Sequence, residues 1–461
     1  MYGVRTIFAA ALTALAAAAP ASAWAATSDP FETKTVRWEE NFGWAATSPR
    51  PLTGLDRLKY LPLDDQAEAG WLTLGGEART KVDASEDARL GLAGVHEFGS
   101  LQTRVMAHAD LRLDGLRLFG QLSLADERGR RPRDRSVDES AVDLEQGFLE
   151  LSGDRGLLRL GRQELPLGDQ RLSNVRETTN LRRSFDAARL DARIGTAGTL
   201  TVFSGSPVAN GPDAFDDGRT SGERFEGVYF AGKAPRGAPA LDLFWLSRRK
   251  PAAAFSEGIA SERRETFGAL AHGTRGPLDY SFYALGQTGR FGAGDIRAWA
   301  ASADLGWTAG ELPWSPRFSL RADAASGDRR RGDGELNSFD APYGNTSYLS
   351  TSSAYWPGNA WSVFPLVTAH PTPDLELYLG AQTMSRMSKA DGFYYSAQNP
   401  IAPAAGRGQV MMRQVYARAR WVPARRWVVS GTVIRQTAGQ AIRAAGGKDS
   451  NVVSVSASWK F

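Results

Sequence analysis

The chain has 461 residues and no cysteine, which excludes disulfides, thiolate metal sites, cysteine nucleophiles and a lipid-modified N-terminal cysteine. Its formal net charge of +4 is too small to argue for a nucleic-acid partner, and the basic residues fall on alternating segments and loops, with no basic helix or stacked-aromatic module. No composition break or Pro/Ser-rich linker divides the chain, and the mean hydropathy is −0.34; a single large β-domain is expected.

Residues 1–25 carry a basic start at Arg5, an apolar run from Ile7 to Ala19, and small residues at Ala21-Ser22-Ala23 and Ala23-Trp24-Ala25. This pattern predicts a secretory signal peptide cleaved after Ala23 or Ala25. The run is too short for a membrane-spanning helix, and nothing later approaches one, so membrane residence would have to come from strands. Residues 26–69 do not alternate, and Pro49, Pro51 and Pro62 interrupt any long element. They are expected to form an arm outside the sheet.

Alternation begins at Trp71. Leu72, Leu74, Ala78 and Val82 share one face, while Glu77, Arg79 and Lys81 share the other. The next segments repeat the scheme: Leu101, Val105, Leu111 and Leu113 oppose Gln102, Arg104, His108, Asp110 and Arg112, and the turn Asp114-Gly115 is a strong hairpin signal. Continued to the C-terminus, this pattern yields roughly 18 strands of about ten residues, the length a tilted membrane strand needs.

The connections alternate as well. Segments 83–99, 126–142, 165–185, 206–222, 327–360 and 389–408 are long, while 114–115, 153–155, 195–198, 370–373 and 422–424 are short. Loops at one end and turns at the other describe an all-β fold: a single transmembrane antiparallel β-barrel over residues 70–461 in the Gram-negative outer membrane. Trp307 and Trp314 flank one short turn, Trp421 and Trp427 another, and Trp459 with Phe461 closes the last alternating segment. This is the placement of an interfacial aromatic girdle.

Between the segments at Leu158–Leu160 and Ala188–Ile194 lies a loop carrying Arg171, Arg176, Arg182 and Arg183. In the second of those segments Arg189, Asp191 and Arg193 share the polar face. The motifs Gly161-Arg162-Gln163-Glu164-Leu165, Gly168-Asp169-Gln170-Arg171-Leu172, Arg176-Glu177 and Asn180-Leu181-Arg182-Arg183-Ser184-Phe185-Asp186 resemble the alginate-export family of outer-membrane porins. Arg37-Trp38-Glu39-Glu40, Leu74-Gly75-Gly76-Glu77-Ala78-Arg79 and Ser338-Phe339-Asp340-Ala341-Pro342-Tyr343 fit the same pattern. The resemblance implies a monomeric barrel of about 18 strands with an arginine-lined constriction that passes a polyuronate.

Arginine suits that task, since its planar fork matches a carboxylate and its charge is permanent. Neighbouring acids would weaken the grip enough for release. The candidates on the predicted lumen are Glu77, Arg79, Arg104, Arg162, Glu164, Arg189, Asp191, Arg193, Arg321 and Asp323, with Arg171 and Arg182 reaching in from the loop. For each, an ion pair that merely braces the wall is the competing reading. Arg162 and Glu164 share parity with apolar Leu158 and Leu160, so either a bulge intervenes there or the strand has left the lipid zone.

The expected function is a diffusion channel for an anionic solute, a uronate polysaccharide such as alginate, with a general or uptake porin for small organic anions as the alternative. A surface-binding protein without a conducting lumen is a third option. Partners would be outer-membrane lipid, lipopolysaccharide and, for polymer export, a periplasmic component. The runs Arg128–Arg133 and Arg329–Arg331 lie in long loops where they would grip lipopolysaccharide phosphates or stay solvated. No cofactor, metal ligand set or enzyme motif is recognised; among His96, His108, His272 and His370, only His108 lies mid-segment on the polar face.

Overall fold

The computed structural model describes residues 33–48, 52–64, 69–92, 97–130, 137–235, 237–344, 356–395, 399–401 and 408–461. The expected signal peptide and Arg131–Arg133 lie outside the described residues. The barrel strands, numbered here in chain order, begin with β1 (Trp71–Glu86), β2 (Glu97–Arg112), β3 (Leu116–Arg128), β4 (Ser140–Gly153), β5 (Gly156–Gln163) and β6 (Phe185–Ile194). They continue with β7 (Gly198–Ala209), β8 (Arg224–Gly232), β9 (Ala240–Phe255), β10 (Gly258–Arg275), β11 (Leu278–Phe291) and β12 (Gly294–Thr308). The last six are β13 (Arg317–Ala325), β14 (Ala360–Thr372), β15 (Leu375–Ser385), β16 (Val410–Ala424), β17 (Trp427–Ala438) and β18 (Ser450–Lys460).

Each strand pairs antiparallel with the next, and β18 pairs with β1 from Glu77↔Lys460 to Glu86↔Asn451. The ring is therefore an 18-strand closed barrel with no free edge, the condition for placing strands in lipid. Closure is finished by the C-terminal residue: the Gly76 amide donates to the Phe461 carbonyl at 2.9 Å and the Phe461 amide returns the bond at 3.1 Å. A Cβ on Gly76 would lie 2.8 Å from the Phe461 ring, so only glycine admits that aromatic terminus.

Strand parity puts Leu118, Leu122 and Leu124 of β3, Leu158 and Leu160 of β5 and Leu190 of β6 on the outside, exposed. An apolar surface of this extent has no stable place in water. The opposite parity faces inward, where Arg104, His108 and Asp110 are buried. Trp307 pairs with Phe318 and Trp427 with Trp459 at the short-turn end, forming the expected girdle.

The short turns and long loops segregate to opposite ends as predicted, with one correction. At the loop end, β9 and β10 are joined by residues 256–257 and β11 and β12 by residues 292–293. The strict alternation fails there because β9–β12 run as long hairpins to the rim.

The segment before β1 lies outside the sheet apart from the pair Leu61–Pro62 against β1. It is built from the 3-10 turns Arg37–Glu39, Gly43–Thr47 and Gly54–Lys59. It packs inside the barrel mouth at the short-turn end: Arg117 of β3 donates to the Trp38 carbonyl at 2.7 Å, and Asp56 accepts from Arg425 and Arg426 at 2.7 and 2.6 Å.

Candidate functional site

The lumen is shaped by the loop between β5 and β6, residues 164–184. Its apolar residues Leu165, Leu167 and Leu172 are buried against Phe185, Phe203, Phe225 and Tyr343, which draws the loop inward instead of over the rim. Gly168, at φ +53°, has no room for a side chain because a Cβ would meet the Tyr229 hydroxyl at 2.2 Å. Tyr283 of β11 donates to Asp169 at 2.6 Å, and Arg171 meets Asp323 of β13 at 2.6 Å.

The far end of the same loop reaches the opposite wall. Arg79 of β1 donates to the carbonyls of Glu177 and Thr179 at 2.8 and 2.5 Å, and Lys81 to that of Thr178 at 3.0 Å. Asn180 donates to the carbonyls of Thr103, Asp126 and Asp138 within 3.1 Å. The loop thus crosses the lumen from β11 and β13 to β1 and β2.

Glu177 is its electrostatic hub. It accepts from Arg104 of β2 at 2.6 Å and from Arg182, and Arg104 also holds Glu77 at 2.5 Å. Burial alone would raise the Glu177 carboxyl, but Arg104, Arg182 and Arg79 together hold it well below the ordinary range. Arg182 also donates to Glu164 at 2.5 Å. There burial prevails over the guanidinium, and the Glu164 carboxyl is pushed up to about 7.

The N-terminal arm extends this network toward the short-turn end. Arg37 bridges Glu40 at 2.8 Å and Glu77 at 3.5 Å. The Trp38 ring lies beneath Arg159 at 3.8 Å and near Arg189 at 5.4 Å, a stacking that offsets the burial of both guanidiniums. Arg159 is itself matched to Glu150 of β4. His108 lies 4.0 Å from Glu40 and stacks on Phe119.

On the β9–β11 wall, Arg248 and Arg264 share Glu262 at 2.5 and 3.2 Å. They also hold the loop after β13: Arg248 pairs with Asp340, and Arg264 donates to the Ser338 carbonyl at 3.0 Å.

The wall from β13 to β18 differs. Its inward side chains include half-buried Arg321, Tyr378, Arg418, Arg420, Thr432 and Ser454. Arg321 pairs with Asp304 at 2.9 Å. Arg418 lies over the Tyr378 ring at 5.2 Å, and Tyr416 stands beside Phe364 at 5.9 Å. Arg418 and Arg420 of β16 have no carboxylate within ion-pair distance among the described residues. Sequence reasoning missed both, although Tyr416, Arg418 and Arg420 alternate with Ala417 and Ala419.

Of the residues expected on the lumen, Glu77, Arg79, Arg104, Glu164, Arg171, Arg182, Arg189, Asp191, Arg321 and Asp323 face the interior or the inserted loop. Arg189 and Asp191 pair at 3.0 Å. Arg193 sits at the short-turn mouth, donating to the Asp154 carbonyl at 3.1 Å.

Arg162 is a correction. It takes the outward parity of Leu160 and pairs with Asp186 at 2.9 Å on the outer face, where residues 210–223 fold down beside it. Gly161, at φ +128°, marks the local distortion, and Glu164 has left the strand for the loop. The hub acid Glu177 and the arginines Arg159, Arg248 and Arg264 were also not singled out, because their importance depends on which loop meets which wall.

A family model described as alginate export matches residues 70–456. A search of curated proteins returned no significant match. Among solved structures, the chain is similar to Pseudomonas aeruginosa OpdK with vanillate, at 10% identity and TM-score 0.58, over 85% of this chain and 98% of that one. It is also similar to P. aeruginosa OccK11 (OpdR), at 11% identity and TM-score 0.56, over 85% and 96%. A third likeness is to P. aeruginosa OccK2 (OpdF) in complex with glucuronate, at 14% identity and TM-score 0.54, over 85% and 98%. At these identities the likeness is one of fold.

Proposed function

Because this chain belongs to the alginate-export family, an outer-membrane channel by family and fold, we propose that its lumen passes carboxylated sugars along the β13–β18 wall. The observation that carries this reading is the pair Arg418 and Arg420. The arginines on the other walls are matched by acids, by loop carbonyls or by the arm, and so have little charge left for a solute. Two unmatched guanidiniums beside Tyr378 offer a carboxylate both charge and a ring face for the sugar. A water-filled setting keeps that attraction weak enough for release.

A uronate polymer is the first candidate solute. The second is a small organic anion taken up one molecule at a time. The crossing of the lumen by residues 164–184 favours the smaller cargo, as does the glucuronate held by one structural neighbour. The ring closes within one chain, which supports a monomer as the functional unit. Residues 1–25 would act as the secretory leader and 26–69 as a lumenal arm that a periplasmic partner could draw aside.

Single-channel recording in a planar bilayer separates these readings. Anion selectivity with block by polymannuronate supports the polymer channel. Block by glucuronate but not by polymannuronate supports the small-solute porin. Cation selectivity with no response to either overturns the proposal.

A further inference from the structure

On the outer face of the barrel near the loop end, Arg224 of β8 stands directly opposite Arg249 of β9. Arg249 is opposite Arg263 of β10, and Arg263 is opposite Arg290 of β11. Four arginines therefore form one unbroken cross-strand row spanning about 14 Å. Like charges directly opposed across strands are destabilising, so the row carries a cost that some anion must offset.

The resident acids do so incompletely. Glu226 lies 3.8 Å from Arg224, Glu265 3.1 Å from Arg263 and Asp295 3.1 Å from Arg290. Glu265 is also engaged by the Trp245 indole at 2.9 Å and the Ser247 hydroxyl at 3.1 Å. Arg249 is exposed and has no carboxylate within ion-pair distance among the described residues. The side chains of Arg224, Arg263 and Arg290 are more than half exposed, so their donors face outward.

The height of the row identifies what meets it. Four residues further along β9, Trp245 shares its level with Val228 and Phe267, an aromatic and aliphatic belt of the kind that marks the membrane interface. Four residues are about 13 Å along the strand, or about 10 Å along the membrane normal at a tilt near 40°. The guanidiniums thus stand on the loop side of the belt, where headgroups lie, and a flanking cleft lined by Arg297, Arg329, Arg330, Asp333 and Glu335 adds one net positive charge, Arg297 being paired with Glu335 at 2.9 Å.

We propose that this row binds the phosphorylated sugar headgroup of an outer-leaflet glycolipid. Each guanidinium presents a fork suited to phosphate oxygens, and the acyl chains would lie along the apolar face below. A lipid bound here would span the hairpins β9–β10 and β11–β12, whose own connections at the rim are the two-residue turns 256–257 and 292–293.

The test uses the full chain in non-ionic detergent, titrated with bisphosphorylated lipid A and read by native mass spectrometry. Arg249→Gln/Arg263→Gln should bind about thirty-fold more weakly, from the weight of two basic residues at an anionic lipid surface. Arg435→Gln, outward on the opposite wall, should bind as the parent does. Heat-modifiable gel mobility confirms that each variant is folded. Equal binding by the double variant, equal binding of the same lipid without its phosphates, or displacement by inorganic pyrophosphate at similar concentration would each overturn the assignment. The last outcome would point to a small-anion site instead.

Discussion

Replacing Arg418 and Arg420 together by alanine removes two half-buried lumen guanidiniums that have no carboxylate within ion-pair distance among the described residues. An anion passing about 5 Å from each guanidinium gains about 0.8 kcal/mol per charge in a water-like dielectric. Screening at 0.1 M salt, with a Debye length of about 10 Å, lowers that to about 0.5 kcal/mol. The pair is thus worth about 1 kcal/mol to an anion and costs a cation about as much, so its loss should reduce the anion-over-cation permeability ratio about thirty-fold. The reversal potential across a bilayer under a potassium chloride gradient reads this ratio directly. The matched control is Arg189→Gln/Asp191→Asn, which deletes a bonded pair at 3.0 Å without changing the net charge and should leave the potential where it was. A double alanine variant with the parent's reversal potential, or a control that shifts as far, would refute the view that free charge rather than total arginine sets selectivity.

Glu177→Gln weakens the hub that ties residues 164–184 to β1 and β2. Since this side chain is 37% exposed, the loss is discounted to about 1 kcal/mol, enough to raise the released fraction of the loop about five-fold; larger and noisier single-channel currents would report it. Glu164 gives a pH dependence of defined sign. Its folded-state pKa of about 7 exceeds the ordinary 4.5, so the folded loop binds the proton more readily, and its hold is full below about 4.5 and fades as pH rises through 7. Current noise should grow from pH 5 to pH 8 in the parent and stay flat in Glu164→Gln. Trp38→Ala removes the ring between Arg159 and Arg189, a contact worth up to about 2 kcal/mol when desolvated. It should raise conductance by loosening the arm, and unchanged current would show that the arm does not narrow the path.

The barrel was legible because membrane strands obey two local rules at once. Alternation of apolar with polar residues fixes the faces, and closure fixes the count, so Leu118, Leu122 and Leu124 on one parity and Arg104, His108 and Asp110 on the other sufficed to assign inside and outside. The Asp114-Gly115 turn and the terminal Phe461 were equally local, one set by backbone conformation and the other by strand end. Placing Arg162 on the lumen goes against its own parity and rests on the expectation of a bulge or an early strand end; the pairing with β6 runs through Gly161 without a register shift, so Arg162 keeps the outward face of Leu160 and the period-two rule holds there.

The lumen could not be read in the same way, because its chemistry is made by contacts between segments far apart in sequence. Arg104 and Glu177 are 73 residues apart, and Arg171 and Asp323 are 152 apart; no periodicity couples them. Listing arginines on the inner parity therefore gathers residues with opposite roles. Arg104, Arg182 and Arg248 are consumed by acids that fasten loops, since an unmatched guanidinium buried at those depths would cost several kcal/mol. Arg418 and Arg420 face a wetter wall, where solvation lets a charge stand alone. Selectivity in this fold then depends on the difference between the arginines and the loops that cover them. A relative with the same arginine count but a shorter β5–β6 loop should conduct anions along a different wall.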